Sequence, residues 1–300
     1  MRRLIIVYNP RSSHFKKVQT EVLSQVQDLE GWTVEKYEVA DTDVDDNATQ
    51  FADVLRDNDL VVAAGGDGTA TIAANGVLLS RANNVKFGVL GCGNFNDMAR
   101  TFGAKTLTDI IDGNLKQVWP LEAVVDDRHY RYGVCYFTIG MFAESTEVFD
   151  DKKHRRKLQD GNKKITFSWR IIAGWYFKNR KRVFIPKFKL NGKEMPGDVT
   201  DYVAVNGKSM ARVMKGGSWC FDDKTFLSET GRLSSFWRLV GLMTKSISKR
   251  IPGKESSGDV LEFAEPADVE IQAEGEYKTL KGVRKIEIRK SAKCLNVMTK

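Results

Sequence analysis

The chain has 300 residues, of which 42% are hydrophobic and 29% charged, and its formal net charge is +8. This length allows two domains, and the composition is that of a globular protein with a full core. No run approaches the 18 consecutive apolar residues of a membrane-spanning helix, so a bilayer span is not expected. The apolar run after Arg2 and Arg3 is too short for a signal-peptide core, and the cysteines are widely spaced, which favours a cytoplasmic protein with reduced thiols.

Strand-like and helix-like segments alternate over the first 120 residues, as in a parallel α/β domain. Apolar β-rich runs predict strands over 4–8, 32–39, 60–64 and 85–90. Helical spacing of apolar residues predicts helices over 16–29, 48–55 and 70–79, with Thr69 as the N-cap of the last one.

The most informative stretch is Gly65-Gly66-Asp67-Gly68-Thr69, between a predicted strand and a predicted helix. Glycine lets the main chain approach an anion closely, and N–H groups at a helix N-terminus attract phosphate. A carboxylate here would repel phosphate unless it holds Mg²⁺ or orients a hydroxyl or water. We therefore interpret the stretch as a phosphate-binding turn in which Asp67 is catalytic or holds metal. The alternative is an ordinary glycine-rich turn with a capping Asp.

Two further polar turns, over 9–13 and 91–97, also follow predicted strands. In an open parallel sheet, ligands bind beyond the carboxyl ends of the strands, so all three turns are expected at one edge. This convergence predicts that the first domain binds a nucleotide.

After residue 120, short strand-like runs joined by polar turns predict a mainly antiparallel β domain. Asn191-Gly192 is typical of a hairpin turn. Helical insertions are predicted over 165–178 and 233–247, and strands over 121–125, 130–139, 183–190, 202–206, 260–263, 269–272, 277–280 and 286–288. We place the domains at 1–120 and 121–300, with about the last 10 residues returning to the first domain.

Several motifs are similar to those of one known family. They are Asn9-Pro10, the Gly65 to Thr69 turn with Asn75-Gly76, Asn96-Asp97-Met98-Ala99-Arg100, Ile139-Gly140 with Ala143-Glu144, and Glu274-Gly275-Glu276. On these motifs the chain resembles the diacylglycerol kinase catalytic-domain family, bacterial soluble lipid kinases related to sphingosine kinases and, more distantly, to NAD kinases. The resemblance implies a Rossmann-like α/β nucleotide domain followed by an antiparallel β-sandwich domain that binds lipid, with ATP and Mg²⁺ as cofactors.

The resemblance also implies roles for particular residues. Glu274 stands at the family's catalytic Asp and would be the base, and Glu276 would lie close to nucleotide or metal. Asp222 and Asp223 would serve a structural Mg²⁺. The residues implied in nucleotide binding are Asn9, Ser12, Ser13, Thr42, Gly65, Gly66, Asp67, Gly68, Thr69, Asn94, Asn96 and Asp97.

Three places depart from the family pattern. Glu274 replaces Asp, Thr71-Ile72 stands where Asn-Glu is common, and Asn94 stands where a phosphate-contacting Thr is usual. A Glu-Gly-Glu stretch between strands is also consistent with an acidic β-turn that has no catalytic role, so both interpretations of Glu274 stay open.

The positive charge is concentrated in residues 151–190, which contain 14 Lys or Arg against 2 Asp around an aromatic-rich predicted helix. Cations attract anionic head groups, and aromatic rings settle at the membrane interface. We expect region 152–182 to contact an anionic membrane peripherally. The alternative is a solvated charge run beside a buried helix. A nucleic-acid partner is not expected, because it would explain neither glycine turn.

The sequence thus predicts a cytoplasmic, peripherally membrane-associated, ATP-dependent kinase of a lipid hydroxyl, with a diacylglycerol-type acceptor. The alternatives are an NAD kinase and a degenerate relative that binds nucleotide or lipid without turnover. The free edge of a β-sandwich can pair with a second copy, so a homodimer is one expected state.

Overall fold

The structure is a computed structural model that describes residues 2–26, 29–146, 164–179, 182–207, 209–210, 214–215, 221–232, 235, 237–238, 240–241 and 253–300. The chain divides into two compact units. The first unit contains Met1–Pro120, Phe221–Asp223 and Ser291–Lys300. The second contains Leu121–Cys220 and Lys224–Lys290.

The first unit is built on a mostly parallel sheet with the strand order β2-β1-β3-β4-β18-β5. Its strands are β1 (Arg2–Tyr8), β2 (Trp32–Glu38), β3 (Leu60–Gly65), β4 (Lys86–Gly91), β5 (Asn114–Val118) and β18 (Leu295–Thr299). The pairs from β2 to β18 are parallel, whereas β5 runs antiparallel to β18. β3 is buried along its whole length, as expected for a central parallel strand.

Helices connect these strands, which confirms the predicted α/β class of this unit. They are α1 (Phe15–Val18), α2 (Val44–Val54), α3 (Asp67–Leu79), α4 (Asp97–Phe102) and α5 (Leu107–Ile111). A π-helical turn, Gln19–Leu23, follows α1 directly.

Two predictions about helix ends were wrong. The helix predicted over 16–29 is replaced by α1 and the π-helical turn, where hydroxyls compete for main-chain carbonyls: Thr20 donates to Lys16 and Ser24 donates to Thr20. Thr69 is not the N-cap of α3. Gly66 occupies that place in an extended conformation, and the helix begins at Asp67.

The second unit is dominated by an antiparallel sheet with the order β15-β14-β11-β8-β16-β17-β6-β7, while β9 pairs with β10 and β16. Its strands are β6 (Leu121–Val125), β7 (Arg128–Gly133), β8 (Tyr136–Gly140), β9 (Phe188–Leu190), β10 (Lys193–Glu194), β11 (Asp201–Val205), β12 (Ser209–Met210), β13 (Met214–Lys215), β14 (Phe226–Gly231), β15 (Lys254–Ser256), β16 (Gly258–Ala273) and β17 (Glu276–Lys290). The predicted antiparallel β class is therefore confirmed.

Several predicted strands have different lengths. The four short runs predicted after residue 260 form two long strands, β16 and β17, whose pairing shifts register between Glu262 and Val269. Such irregularities interrupt the alternation of apolar residues, which explains why one strand looks like two in the sequence. Conversely, the run 130–139 is divided between β7 and β8, and the run 183–190 reduces to β9.

The hairpin predicted at Asn191-Gly192 is confirmed. Leu190 pairs with Lys193 across it, and both turn residues have positive φ, +52° and +77°. Asn and Gly adopt this left-handed conformation at the lowest cost, which is why the dipeptide is a strong turn signal.

Two helices accompany the second sheet, α6 (Met141–Ser145) and α7 (Lys164–Asn179). α7 confirms the first predicted insertion, and its Tyr176 is fully buried against Met141 and Phe184. The insertion predicted over 233–247 and the basic run 152–157 lie largely or wholly outside the described residues. Across the described parts of the chain, no helix is both long and apolar enough to cross a membrane.

Candidate functional site

The carboxyl ends of β1, β3 and β4 lie at one edge of the first sheet, because these neighbouring strands are parallel. The chain leaves β1 for β2 on one side, while β3 lies on its other side. This reversal of strand order is the place where open α/β sheets bind ligands. The three polar turns therefore converge at the edge predicted from the sequence.

The turns after β3 and β4 approach each other through glycine. A Cβ on Gly93 would lie 2.5 Å from the Cα of Gly66, so only glycine fits there. The Cys92 N–H donates to the Gly65 carbonyl at 2.8 Å, which joins the two turns. At Gly65 a Cβ would meet the Thr69 side chain at 2.6 Å. The result is a tight main-chain surface at the N-terminus of α3, where N–H groups lack helical acceptors.

Asp67 does not cap its own helix. Its Oδ2 accepts the Asn96 N–H at 2.8 Å and its Oδ1 accepts the Asp97 N–H at 2.7 Å, so the carboxylate holds the N-terminus of α4. Burial, and then the negative charge of Asp97, raise the pKa of Asp67 to about 7, against the opposing effect of the two hydrogen bonds. Asp67 thus joins the two glycine-containing turns and also has a carboxyl that gains or loses a proton near neutral pH.

Asn96 and Asp97 support the same corner. Asn96 adopts a left-handed conformation, with φ of +54°, and its side chain bonds both the N–H and the carbonyl of Gly93 at 2.8 Å. Asp97 is almost fully buried and pairs with Arg100 one turn along α4. These contacts fix the shape of the turn after β4.

The loop after β1 folds on itself and reaches the turn after β4. The Asn9 side chain accepts the Arg11 N–H at 2.9 Å, and the Asn9 carbonyl accepts the Ser12 N–H. The Nε2 atom of His14 lies 3.1 Å from Oδ1 of Asn94. Because β3 lies between β1 and β4, this contact links the two outer turns on either side of the glycine turn. Ser13 is exposed beside them.

Thr42 lies in the loop after β2, the edge strand, and is exposed. Its hydroxyl and carbonyl both accept from Nδ2 of Asn47, at 2.8 and 3.1 Å. Asn47 is fully buried and also bonds Ala40 and Asp43, so it organises the whole loop. The sequence analysis missed Asn47. The only available signal was an Asn immediately before the helix predicted over 48–55.

Glu274 and Glu276 belong to the second unit. Glu274 lies in the turn between β16 and β17, with φ of +52°, followed by Gly275 at +91°. Its side chain is buried, and Oε1 accepts the N–H groups of Cys135 and Tyr136. Glu276 is partly exposed and pairs with Ala273 across the turn. The acidic stretch is thus a two-residue hairpin turn, and one of its carboxylates folds back onto the sheet.

Asp222 and Asp223 follow Phe221, which packs against Phe102 and Lys116 in the first unit. Both carboxylates are exposed. Among the described residues, no group of three or more His, Cys, Asp or Glu side chains is arranged to hold a metal ion.

Comparison with known proteins agrees with this geometry. Residues 3–123 match the family model described as diacylglycerol kinase catalytic domain. A diacylglycerol kinase of Bacillus subtilis (strain 168) is 37% identical over 105 residues, which cover 34% of this chain and 34% of the relative. A diacylglycerol kinase of Staphylococcus saprophyticus is 32% identical over 125 residues, 39% of this chain and 40% of the relative. The matched stretch therefore spans only about a third to two fifths of these curated relatives.

Solved structures extend the similarity of fold to the whole chain. A structure from Bacillus anthracis str. Sterne superposes with a TM-score of 0.66 at 17% identity and covers 100% of this chain and 97% of that one. Another, described as a diacylglycerol kinase from the same organism, gives a TM-score of 0.63 at 17% identity, with the same two coverages. At this identity the structures bear on the fold alone. The sequence matches therefore show similarity over residues 3–123, where this chain resembles the diacylglycerol kinase catalytic domain.

Proposed function

We propose that this protein is a lipid kinase that transfers the γ-phosphoryl group of ATP to the hydroxyl of a lipid, with a diacylglycerol-type acceptor. One observation carries the proposal: the close approach of Gly66 and Gly93 at the sheet edge where three turns converge. The names of the relatives support the same reaction.

The residues at this edge fit a polyphosphate. Side-chain-free backbone at Gly66 and Gly93 adjoins the N-terminus of α3, and N–H groups there favour a bound anion. We assign phosphate contacts to Gly65 through Thr69, with Asn9, Ser12, Ser13, Thr42 and Asn94 on the neighbouring loops. Asn96 and Asp97 keep the turn after β4 in shape.

A magnesium ion would neutralise charge on the transferred phosphoryl group when bound. Mg²⁺ needs few protein ligands, because it keeps several waters and takes phosphate oxygens. Asp67 fits this limited requirement as a single carboxylate beside the phosphate-binding turn. We assign Asp222 and Asp223 the structural metal that the resemblance implies, and Glu276 a place near nucleotide or metal.

The acceptor hydroxyl must lose its proton, and we assign this proton to the Glu274 carboxylate. As the lipid oxygen forms its bond to the γ-phosphorus, the bond from phosphorus to the β,γ-bridging oxygen breaks, and ADP leaves with that electron pair. Oε1 of Glu274 accepts hydrogen bonds from two backbone N–H groups, which hold the carboxylate in place.

We also propose that α7 docks the protein on an anionic membrane. Arg170, Gly174, Phe177 and Lys178 are exposed and share one helix face by their spacing. Phe177 is 47% exposed, and Val183, just beyond the helix, is 74% exposed. Apolar side chains among cations suit an interface of acyl chains and anionic head groups.

The reaction is tested with radiolabelled ATP and vesicles made from a total lipid extract or from diacylglycerol, with the labelled product identified by mass. We expect labelled lipid from the wild-type protein and a loss of at least 100-fold in Glu274→Gln. Gln keeps an Oε1 acceptor for the Cys135 N–H, so this variant should fold. Label on NAD would instead indicate an NAD kinase. ATP binding without any transfer would indicate a degenerate relative.

Docking is tested separately by co-sedimentation with vesicles of phosphatidylglycerol and phosphatidylcholine. Phe177→Ser with Val183→Ser should lower binding, and Arg170→Glu with Lys178→Glu should remove its dependence on anionic lipid. Leu115→Ser is the matched control, because Leu115 is 53% exposed on the first unit. Equal binding by all variants, or binding insensitive to salt, would contradict the docking proposal.

A further inference from the structure

The Glu274 side chain packs against a short stretch of main chain at the start of β8. Its Oε1 accepts the N–H groups of Cys135 and Tyr136, 139 and 138 residues away in sequence. The position of the carboxylate therefore depends on where residues 134–136 lie.

Asn206 holds the same stretch through different atoms. Its side-chain Nδ2 donates to the Val134 carbonyl at 2.9 Å, and its N–H donates to the Cys135 carbonyl at 2.7 Å. The Gly207 N–H donates to that carbonyl as well, at 2.8 Å. One peptide segment thus donates to Glu274 and accepts from the end of β11.

The contact is buried and allows little movement. Asn206 is fully buried, and so is Cys135. A Cβ on Gly207 would lie 2.8 Å from the Cβ of Cys135, so the two segments are already in close contact. Lys290, at the end of β17, donates from Nζ to Oδ1 of Asn206 at 2.5 Å and fixes the orientation of the amide.

We propose that Asn206 is a positioning residue for Glu274, which it serves by fixing residues 134–136. The inference rests on the proposed role of Glu274 as the base. The effect of Asn206 on Glu274 is carried by the Cys135 peptide. Glu274 depends on such support because its turn holds a non-glycine residue at positive φ, a conformation that local sequence disfavours.

The expected size of the effect follows from geometry. Loss of the Asn206 side chain leaves the buried Val134 carbonyl without that donor, so residues 134–136 should shift. A misplacement of about 1 Å at a catalytic group costs on the order of 100-fold in rate. Asn206→Ala should therefore lower kcat by about 10- to 100-fold. The KM for ATP should stay within about twofold, because we assign ATP binding to the first unit.

The test compares Asn206→Ala, Lys290→Met and the control Tyr202→Phe. Lys290→Met removes the donor to the Asn206 amide oxygen and keeps the inference testable if Asn206→Ala fails to fold. Tyr202 lies on β11, is fully buried and bonds Asp259 at 2.9 Å, so its variant also loses one buried hydrogen bond in the same unit. Each variant is measured for kcat, for KM and for hydrogen exchange at the Cys135 and Tyr136 amides.

The inference predicts a lower kcat and faster exchange at these two amides in Asn206→Ala, a smaller change of the same kind in Lys290→Met, and neither in Tyr202→Phe. A kcat per folded molecule equal to that of Tyr202→Phe would overturn it, and so would unchanged amide exchange. If the wild-type protein transfers no phosphoryl group, the proposed function fails. The exchange measurement then still decides whether Asn206 fixes residues 134–136.

Discussion

Gly93→Ala tests the glycine contact on which the proposed nucleotide site depends. The added Cβ would lie 2.5 Å from the Gly66 Cα and 3.0 Å from Asn96 Oδ1, which bonds the Gly93 N–H. The same substitution at the facing glycine, Gly66→Ala, places its Cβ 3.5 Å from the Gly93 Cα, which is an ordinary van der Waals contact. A Cβ added at Gly66 thus has about 1 Å more room than a Cβ added at Gly93. An overpacked site costs about 1–3 kcal/mol.

We therefore expect Gly93→Ala to lower the free energy of unfolding by about 1–3 kcal/mol and Gly66→Ala to change it by less than about 0.5 kcal/mol. Gly93→Ala should also weaken ATP binding, because the N-terminus of α3 must move away from the turn after β4. Urea denaturation measures the first effect and isothermal titration calorimetry the second. Equal stability of the two variants, together with wild-type ATP affinity in Gly93→Ala, would refute the reasoning.

Three further substitutions test buried polar groups. The Thr71 hydroxyl is buried and has no hydrogen-bond partner in the described parts of the chain. Thr71→Val should therefore raise the free energy of unfolding by about 1 kcal/mol, and with it the melting temperature. A lower melting temperature would contradict this. Burial raises the pKa of Asp201 to about 7. Between about pH 4 and pH 7 this carboxyl is therefore protonated in the folded state and ionised in the unfolded state. The free energy of unfolding should fall over this range, by at most about 1.4 kcal/mol per pH unit. Asp201→Asn should remove this part of the fall, and urea titrations with the same pH dependence as wild type would contradict it. Arg3 pairs with buried Asp59 at 2.7 Å. Arg3→Met should therefore lower the free energy of unfolding by about 3 kcal/mol at pH 7, and by less at pH 4, where Asp59 can take up a proton. A loss independent of pH would show that the unpaired Asp59 charge is not its cause.

The sequence was most informative where a structural rule acts within a few residues. Alternation of strands and helices predicted a parallel sheet, and parallel strands must bring their carboxyl ends to one edge. The convergence of the three turns followed from that rule. Asn191-Gly192 predicted its hairpin because positive φ is a property of those two residues.

Side-chain partners were less accessible from the sequence. Asp67 was expected beside phosphate, but its hydrogen bonds to Asn96 and Asp97 cross 29 and 30 residues of chain. The contact that holds Glu274 spans 139 residues. Such contacts depend on which strands become neighbours in a sheet, and no local pattern encodes that choice.

The amino-acid sequence by itself therefore determined the α/β and antiparallel β classes, the glycine turns and their common edge. Tertiary structure alone decided that Asp67 holds α4, that Asn47 organises the Thr42 loop, and that Asn206 and Glu274 share one peptide segment. The physical reason is the distance along the chain over which each kind of interaction acts. Backbone conformation and periodicity depend on neighbours along the chain, whereas a buried polar group takes its partner from whichever segment packing brings within hydrogen-bond distance.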